Sequence, residues 1–186
     1  MDQIGLVEEI DALLPQTQCT RCGFEGCRPY AEAIAKGEAD INRCPPGGES
    51  TLLALAAKLH RPAPAPDTNC GEFDVQKVVW IDPDRCIGCA RCLPPCPVDA
   101  IVGASRQLHV VLDTQCTGCE LCIAPCPVDC ISLIDRSKLQ VATPAPQPRD
   151  NLRRYRAHES RTQARNERRQ RQLAERKRRA TALSRA

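Results

Sequence analysis

Aromatic residues are scarce in this 186-residue chain: two Phe, two Tyr and one Trp, with a single Met. So few large side chains cannot fill a sizeable apolar core, and small domains of this kind need a staple such as metal or disulfides. Long apolar runs are missing too. Leu52-Leu53-Ala54-Leu55-Ala56-Ala57 is cut by Lys58, far short of the roughly 20 residues that span a bilayer. The opening Met1-Asp2-Gln3-Ile4-Gly5-Leu6-Val7-Glu8-Glu9 has neither the basic start nor the apolar core of a secretory signal. There is no GxGxxG, and Gly47-Gly48 before Ser50 lacks the Lys-Ser/Thr of a phosphate-binding loop. No Ser/His/Asp arrangement carries a recognisable motif, so a substrate-converting site is not expected.

What the chain does have is cysteine, fourteen in all. Without a signal segment the thiols are expected to be reduced and cytoplasmic, where clustered cysteines mean metal. Charge is the second feature. The overall balance is +3, yet residues 149–186 hold 14 Lys and Arg against 4 Asp and Glu, which leaves 12 against 19 in residues 1–148. An acidic body of −7 therefore carries a basic tail of +10.

Two proline-rich stretches, Arg61-Pro62-Ala63-Pro64-Ala65-Pro66 and Thr143-Pro144-Ala145-Pro146-Gln147-Pro148, read as extended spacers. They suggest a first module over 1–60, a linker over 61–69, a second module over 70–142, and a linker and Arg-rich tail over 143–186. In the first module Ile4, Val7, Ile10 and Leu14 predict a helix that Pro15 ends. Pro29 predicts the first turn of a second helix that stops at Gly37, and Ser50 the cap of a third with Leu52, Leu55 and Leu59 on one face. The second module repeats itself at an offset of thirty: Arg85–Ile101 and Gln115–Ile131 agree at ten of seventeen positions. Strand-like runs flank each half (Val78–Ile81, Ala100–Val102, His109–Leu112, Ile131–Ile134). The expected fold class is small α+β: a helical four-cysteine domain, a pseudo-twofold domain of small hairpins, and a basic tail that is helical or disordered.

The repeat reads Cys86-Ile87-Gly88-Cys89-Ala90-Arg91-Cys92-Leu93-Pro94-Pro95-Cys96-Pro97, then Cys116-Thr117-Gly118-Cys119-Glu120-Leu121-Cys122-Ile123-Ala124-Pro125-Cys126-Pro127. Structural zinc prefers separated C-x2-C pairs, commonly with His, and these doubled, proline-terminated runs take the iron–sulfur form instead. Three thiolates two residues apart wrap a loop around irons, Gly permits the tight turn, and backbone N–H groups face the sulfurs. The module resembles bacterial two-cluster ferredoxins along nearly its whole length. That resemblance implies one [4Fe–4S] cluster on Cys86, Cys89, Cys92 and Cys126, and another on Cys96, Cys116, Cys119 and Cys122.

The first module offers Cys19-Thr20-Arg21-Cys22-Gly23-Phe24-Glu25-Gly26-Cys27, then Cys44-Pro45-Pro46-Gly47-Gly48. Spacing alone leaves zinc open beside iron–sulfur here. The string, with Ala31, Ile34, Ala35, Gly37 and Glu38 between its halves, resembles the four-cysteine iron–sulfur domain in the B subunit of the Rnf/Rsx ion-translocating electron-transport complexes. The order of the two modules matches as well, over about residues 1–140. The resemblance implies a third [4Fe–4S] cluster on Cys19, Cys22, Cys27 and Cys44, and a relay of single electrons between redox protein partners. Members of that family usually begin with a hydrophobic anchor, which this sequence does not show. The expectation is a cytoplasmic carrier, or one held peripherally on the cytoplasmic face of the inner membrane. A stand-alone ferredoxin serving soluble enzymes is the competing reading, and a metal-stapled nucleic-acid-binding protein a weaker one.

Other residues carry blander expectations. Cys130 stands where the first half has Ala100 and reads as a small core residue packed beside a cluster. Cys70 stands alone with no visible partner. Trp80 and His109 read as packing or surface positions rather than an electron relay, and Asp99 and Asp129 as turn or cap residues. The tail has i,i+4 pairs at Glu167–Arg171 and Glu175–Arg179 but only Leu152, Leu173 and Leu183 as apolar residues. It cannot insert into a bilayer, and is expected to be solvated or to attach by charge to an acidic partner or anionic lipid. Nucleic acid is not expected as a partner, because no folded reader of bases is present.

Overall fold

Val7, Ile10 and Leu14 fall on one side of a helical turn sequence, and burying them sets the first contact of the fold. In the computed structural model, which describes residues 3–73, 77–139, 141 and 143–183, they belong to or directly follow helix α1 (Gln3–Leu13). This helix packs against α2 (Cys27–Lys36) and α3 (Gly48–Lys58). Helix α2 stops before Gly37 as its sequence predicts. Helix α3 starts three residues earlier than expected: Gly47 takes the cap position, and Ser50 sits inside the helix with its Oγ donating to the Gly47 carbonyl. The three helices enclose a core of Val7, Ile10, Leu14, Tyr30, Ile34 and Leu55, to which Cys22, Cys27 and Cys44 also belong. The proline-rich segment lies back along this unit, since Asn42 Nδ2 donates to the Ala65 carbonyl at 2.6 Å and Asp67 N–H to the Asn42 carbonyl.

The second half is built from short antiparallel strands. Strand β1 (Lys77–Ile81) pairs with β4 (Ile131–Asp135) in the register Val79↔Leu133, and β2 (Ile101–Val102) pairs with β3 (Val110–Val111) in the register Ile101↔Val111. The first strand of each half thus pairs with the last strand of the other. Val78, Val79, Ile81, Val98, Ile101 and Ile131 form a second core, again with cysteines built in.

After the second proline stretch, helix α4 runs from Pro148 to Leu183. Pro at the first helical position costs no hydrogen bond. The tail is therefore helical and, over its first turns, docked. Asn151 is buried and its Nδ2 donates to the Pro15 carbonyl at 3.1 Å, while His158 and Arg161 pair with Asp99. From Gln163 to Thr181 every residue is exposed. Among the described residues, no helix is long and apolar enough to cross a membrane.

Candidate metal centres

The first cysteine loop is held by amide side chains. Gln16 Nε2 donates to the carbonyl and carboxylate of Asp11 at 2.6 and 2.9 Å, Gln18 Nε2 donates to Gln16 Oε1 at 2.8 Å, and Gln18 Oε1 accepts from Cys27 N–H at 2.8 Å. Gln16, Thr17 and Gln18 are all buried, and Gln16, Gln18 and Thr20 sit at positive φ. A buried polar chain with its members mutually satisfied fixes one conformation. The loop curls over α2, and Cys19, Cys22, Cys27 and Cys44 come together around a void lined also by Tyr30, Pro45 and Pro46. Burial pushes the Cys27 thiol up to about 12, and pushes Cys22 and Cys44 up as well. The N–H of Phe24 directed at Cys22 and that of Gly47 directed at Cys44 oppose this rise.

Two further voids lie in the repeat. One is rimmed by Cys96, Cys116, Cys119 and Cys122, the other by Cys86, Cys89, Cys92 and Cys126. Each run thus sends its fourth cysteine to the void of the other. The glycines explain how the loops close. Gly88 and Gly118 stand at φ +67° and +68°, and a Cβ there would lie 2.6 Å from the Gln107 nitrogen or the Lys77 oxygen. Only glycine satisfies both the dihedral and the approach.

The sulfurs are met by backbone donors. Ala100 N–H reaches Cys96 Sγ at 3.2 Å, with Val98 also contributing. Around Cys126, burial opposes ionisation, but bonds from the backbone of Cys130, Val128 and Asp129 and from the Cys130 side chain hold its thiol below the usual range. Burial pushes Cys92 up to about 11 and Cys119 to about 12, and raises Cys96 and Cys122 too.

Four thiols per void, N–H groups aimed at sulfur and walls with few other polar side chains are the donor set of a thiolate-bound iron–sulfur cluster. Four thiols spread around one void, with N–H groups facing them, fit such a group. Loading it would displace protons from the buried thiols.

The remaining cysteines differ from each other. Cys130 is buried with its Sγ 3.5 Å from Cys126 Sγ, beside a void as expected. Cys70 is not alone: its thiol faces Asp67 Oδ2 at 3.7 Å and the Arg43 side chain, contacts made by a tertiary fold that spacing does not reveal. Trp80 is at the surface, 46% exposed, whereas His109 is buried against Cys86. Asp99 serves as the ion-pair anchor of α4 rather than as a cap.

Two features had no signal in the sequence. Arg136, almost fully buried, reaches the Asp113 carbonyl at 2.8 Å and also donates to the Cys116 carbonyl. The loops of two voids touch as well: Thr117 Oγ1 meets the Thr17 carbonyl at 3.5 Å, and Arg21 pairs with Glu120 at 3.6 Å.

The donor sets and the family matches together point to one class, an iron–sulfur protein with a ferredoxin-type domain over part of its length. Residues 79–133 match the family "4Fe-4S dicluster domain", and residues 14–46 match the family "Putative Fe-S cluster". Among curated proteins, the chain is 60% identical over 108 residues to the B subunit of the ion-translocating oxidoreductase complex of Azoarcus sp. (strain BH72), covering 58% of this chain and 59% of that one. The proteins of the same name from Alkalilimnicola ehrlichii and Erwinia tasmaniensis are each 55% identical, over 58% and 60% of this chain and 58% and 59% of theirs. The chain is therefore homologous, over that span, to the B subunit of Rnf-type complexes, as its cysteine strings imply. It spans just under six tenths of the length of these relatives.

Proposed function

We propose that this chain relays single electrons through three [4Fe–4S] clusters, in the manner of the electron-carrying B subunit of an Rnf/Rsx complex. The ligand sets are Cys19, Cys22, Cys27 and Cys44; Cys86, Cys89, Cys92 and Cys126; and Cys96, Cys116, Cys119 and Cys122. The observation that carries the reading is that three voids each gather four cysteines from two separate stretches of chain. When bound, each cluster supplies a one-electron couple. The chain's own residues hold it by thiolates, direct N–H groups at sulfur and shield it with apolar side chains. The two halves of the repeat are read as a pseudo-twofold pair, since strand pairing and glycine contacts recur at the same offset.

Contact between the Cys19–Cys27 and Cys116–Cys122 loops gives the relay an order: first-module centre, then the Cys96/Cys116 centre, then the Cys86 centre. Cys89 is exposed, which supports the last of these as the port to a redox protein partner. The chain is organised as a four-cysteine unit, a dicluster unit and a basic helix. Eight Arg and Lys against two Glu on the exposed stretch 163–181 suit peripheral attachment to an acidic partner or the anionic face of the inner membrane.

Iron and acid-labile sulfide analysis with EPR on anaerobically purified protein tests the reading. About twelve irons per chain are expected. Zinc without sulfide overturns it, and a deficit of four irons removes one centre from the relay. Deleting 163–186 leaves the docked turns of α4 intact and should reduce sedimentation with anionic membranes.

A further inference from the structure

Nine wall positions of the two voids of the repeat correspond at the thirty-residue offset, and three of them carry different residues, one being Thr117 against Ile87. Cys96 and Cys126, Val98 and Val128, and Ile101 and Ile131 line equivalent walls. Where one void has Val79 and Ala100, the other has His109 and Cys130, each thirty residues further on. His109 is 2% exposed, its Nδ1 lies 3.9 Å from Cys86 Sγ, and its Nε2 has no hydrogen-bond partner among the described residues. Room for the ring is made by Gly103, where a Cβ would lie 2.5 Å from His109 Cδ2. The residue at the same place in the other half is Leu133, opposite Val79 across the β1–β4 ladder. Glycine facing histidine in one half and leucine facing valine in the other fill the same space with different chemistry. Cys130 adds a second polar group, 3.5 Å from Cys126 Sγ.

We propose that His109 and Cys130 are tuning residues that make the centre on Cys86, Cys89, Cys92 and Cys126 the higher-potential member of the ferredoxin-type pair. The inference rests on the three-cluster reading above. Reduction adds one negative charge, and hydrogen bonds donated to the ligand sulfurs stabilise the more negative state, which raises the potential. A cluster-bound thiolate only accepts, so His109 meets Cys86 with Nδ1–H and Cys130 meets Cys126 with S–H. Val79 and Ala100 offer the other centre no side-chain donor at these positions; the Thr117 hydroxyl bonds Cys119 there, where the Cys86 centre has Ile87, so two side-chain donors stand against one. The exposed Cys89 rim, against a half-buried Cys119, acts in the same direction because water stabilises added charge. An electron supplied by a redox protein partner then rests at the Cys86 centre, and the other centre of the pair passes it on.

Anaerobic potentiometric titration of the full holoprotein, followed by EPR, tests this with the residues of the other half as replacements. His109→Val and Cys130→Ala should each move one step, the higher of the ferredoxin-type pair, to lower potential and narrow the gap between the two. Cys130→Ser retains a donor and should leave that step near its wild-type position. Iron and sulfide are measured on every variant, so a failure of the three-cluster reading shows in wild-type iron content and not in these shifts. Fully loaded variants whose steps all coincide with wild type overturn the proposal, as does movement of the lower step of the pair. Should His109→Val lose iron, the contrast between Cys130→Ala and Cys130→Ser decides alone, and equal potentials for the two overturn it.

Discussion

The Tyr30 hydroxyl ties two backbone groups of the segment that leads to Cys44, donating to the Asp40 carbonyl at 2.7 Å and accepting from Arg43 N–H at 3.1 Å. Burial pushes the phenol well above its ordinary range, so the tie persists through neutral and mildly alkaline pH. Tyr30→Phe keeps the ring in the core but strands both backbone groups, a cost of about 1–3 kcal/mol. The expected outcome is faster bleaching of the first-module centre by a chelator, with the dicluster signals unchanged. Arg136 plays the same part for the second half, clamping the Asp113 and Cys116 carbonyls from inside the core. Arg136→Met preserves length and apolar packing while removing charged hydrogen bonds worth about 1.5–3 kcal/mol each. It should release about four irons selectively from the centre containing Cys116, read by iron analysis after mild heating.

At the scale of elements, α4 is a polar helix docked by a polar seam. Asn151, Tyr155, His158 and Thr162 fall on one face and are buried or half-buried, and beyond them the helix is exposed. Burial works to raise the Asp99 carboxyl, but hydrogen bonds from His158 and Arg161 and their charge outweigh it, and the net direction is down. A carboxylate held below its unfolded value of about 3.9 contributes stability above that pH and loses it as pH falls through the folded value. With the Asp99 side chain 40% exposed, solvent screening keeps the contribution to about 1 kcal/mol or less. Asp99→Asn should therefore speed hydrogen exchange of the 155–162 amides modestly at neutral pH and remove their acid sensitivity near pH 4. Equal exchange in variant and wild type would mean that Asn151 and Tyr155 dock the helix unaided. The seam also shows what a sequence can disclose. The strands beside Cys86 and Cys116 are legible because β-branched runs recur at a fixed offset, and α1 is legible because Val7, Ile10 and Leu14 repeat at the helical period. Asn151, Tyr155 and His158 share that period, but polar residues at helical spacing read as a solvated face unless their partners are known. The Gln16–Gln18 chain and the Arg136 clamp were hidden for the same reason: amides and guanidinium groups declare their roles through tertiary partners, which no local pattern encodes.

Across the whole molecule, both hydrophobic cores count cysteines among their buried members, so the voids lie inside the packing rather than beside it. Little else is available to hold either unit: three short helices on one side, and strands of two to five residues on the other. Emptying the sites would leave clustered, buried thiols that prefer to stay protonated. Domains this lean in core normally draw their folding free energy from the metal itself. Folding and cluster binding should then be one equilibrium. Anaerobic removal of iron with a chelator is expected to abolish the strand and short-helix signal in circular dichroism and to open sites in 15–60 and 77–139 to protease. The exposed part of α4 responds differently, because Glu167–Arg171 and Glu175–Arg179 are pairs within the helix and do not depend on the body. Residual helicity that falls further on deleting 163–186 would identify that segment as its source. An iron-free chain with the protease resistance of the loaded one would instead show that the two cores stand without their clusters.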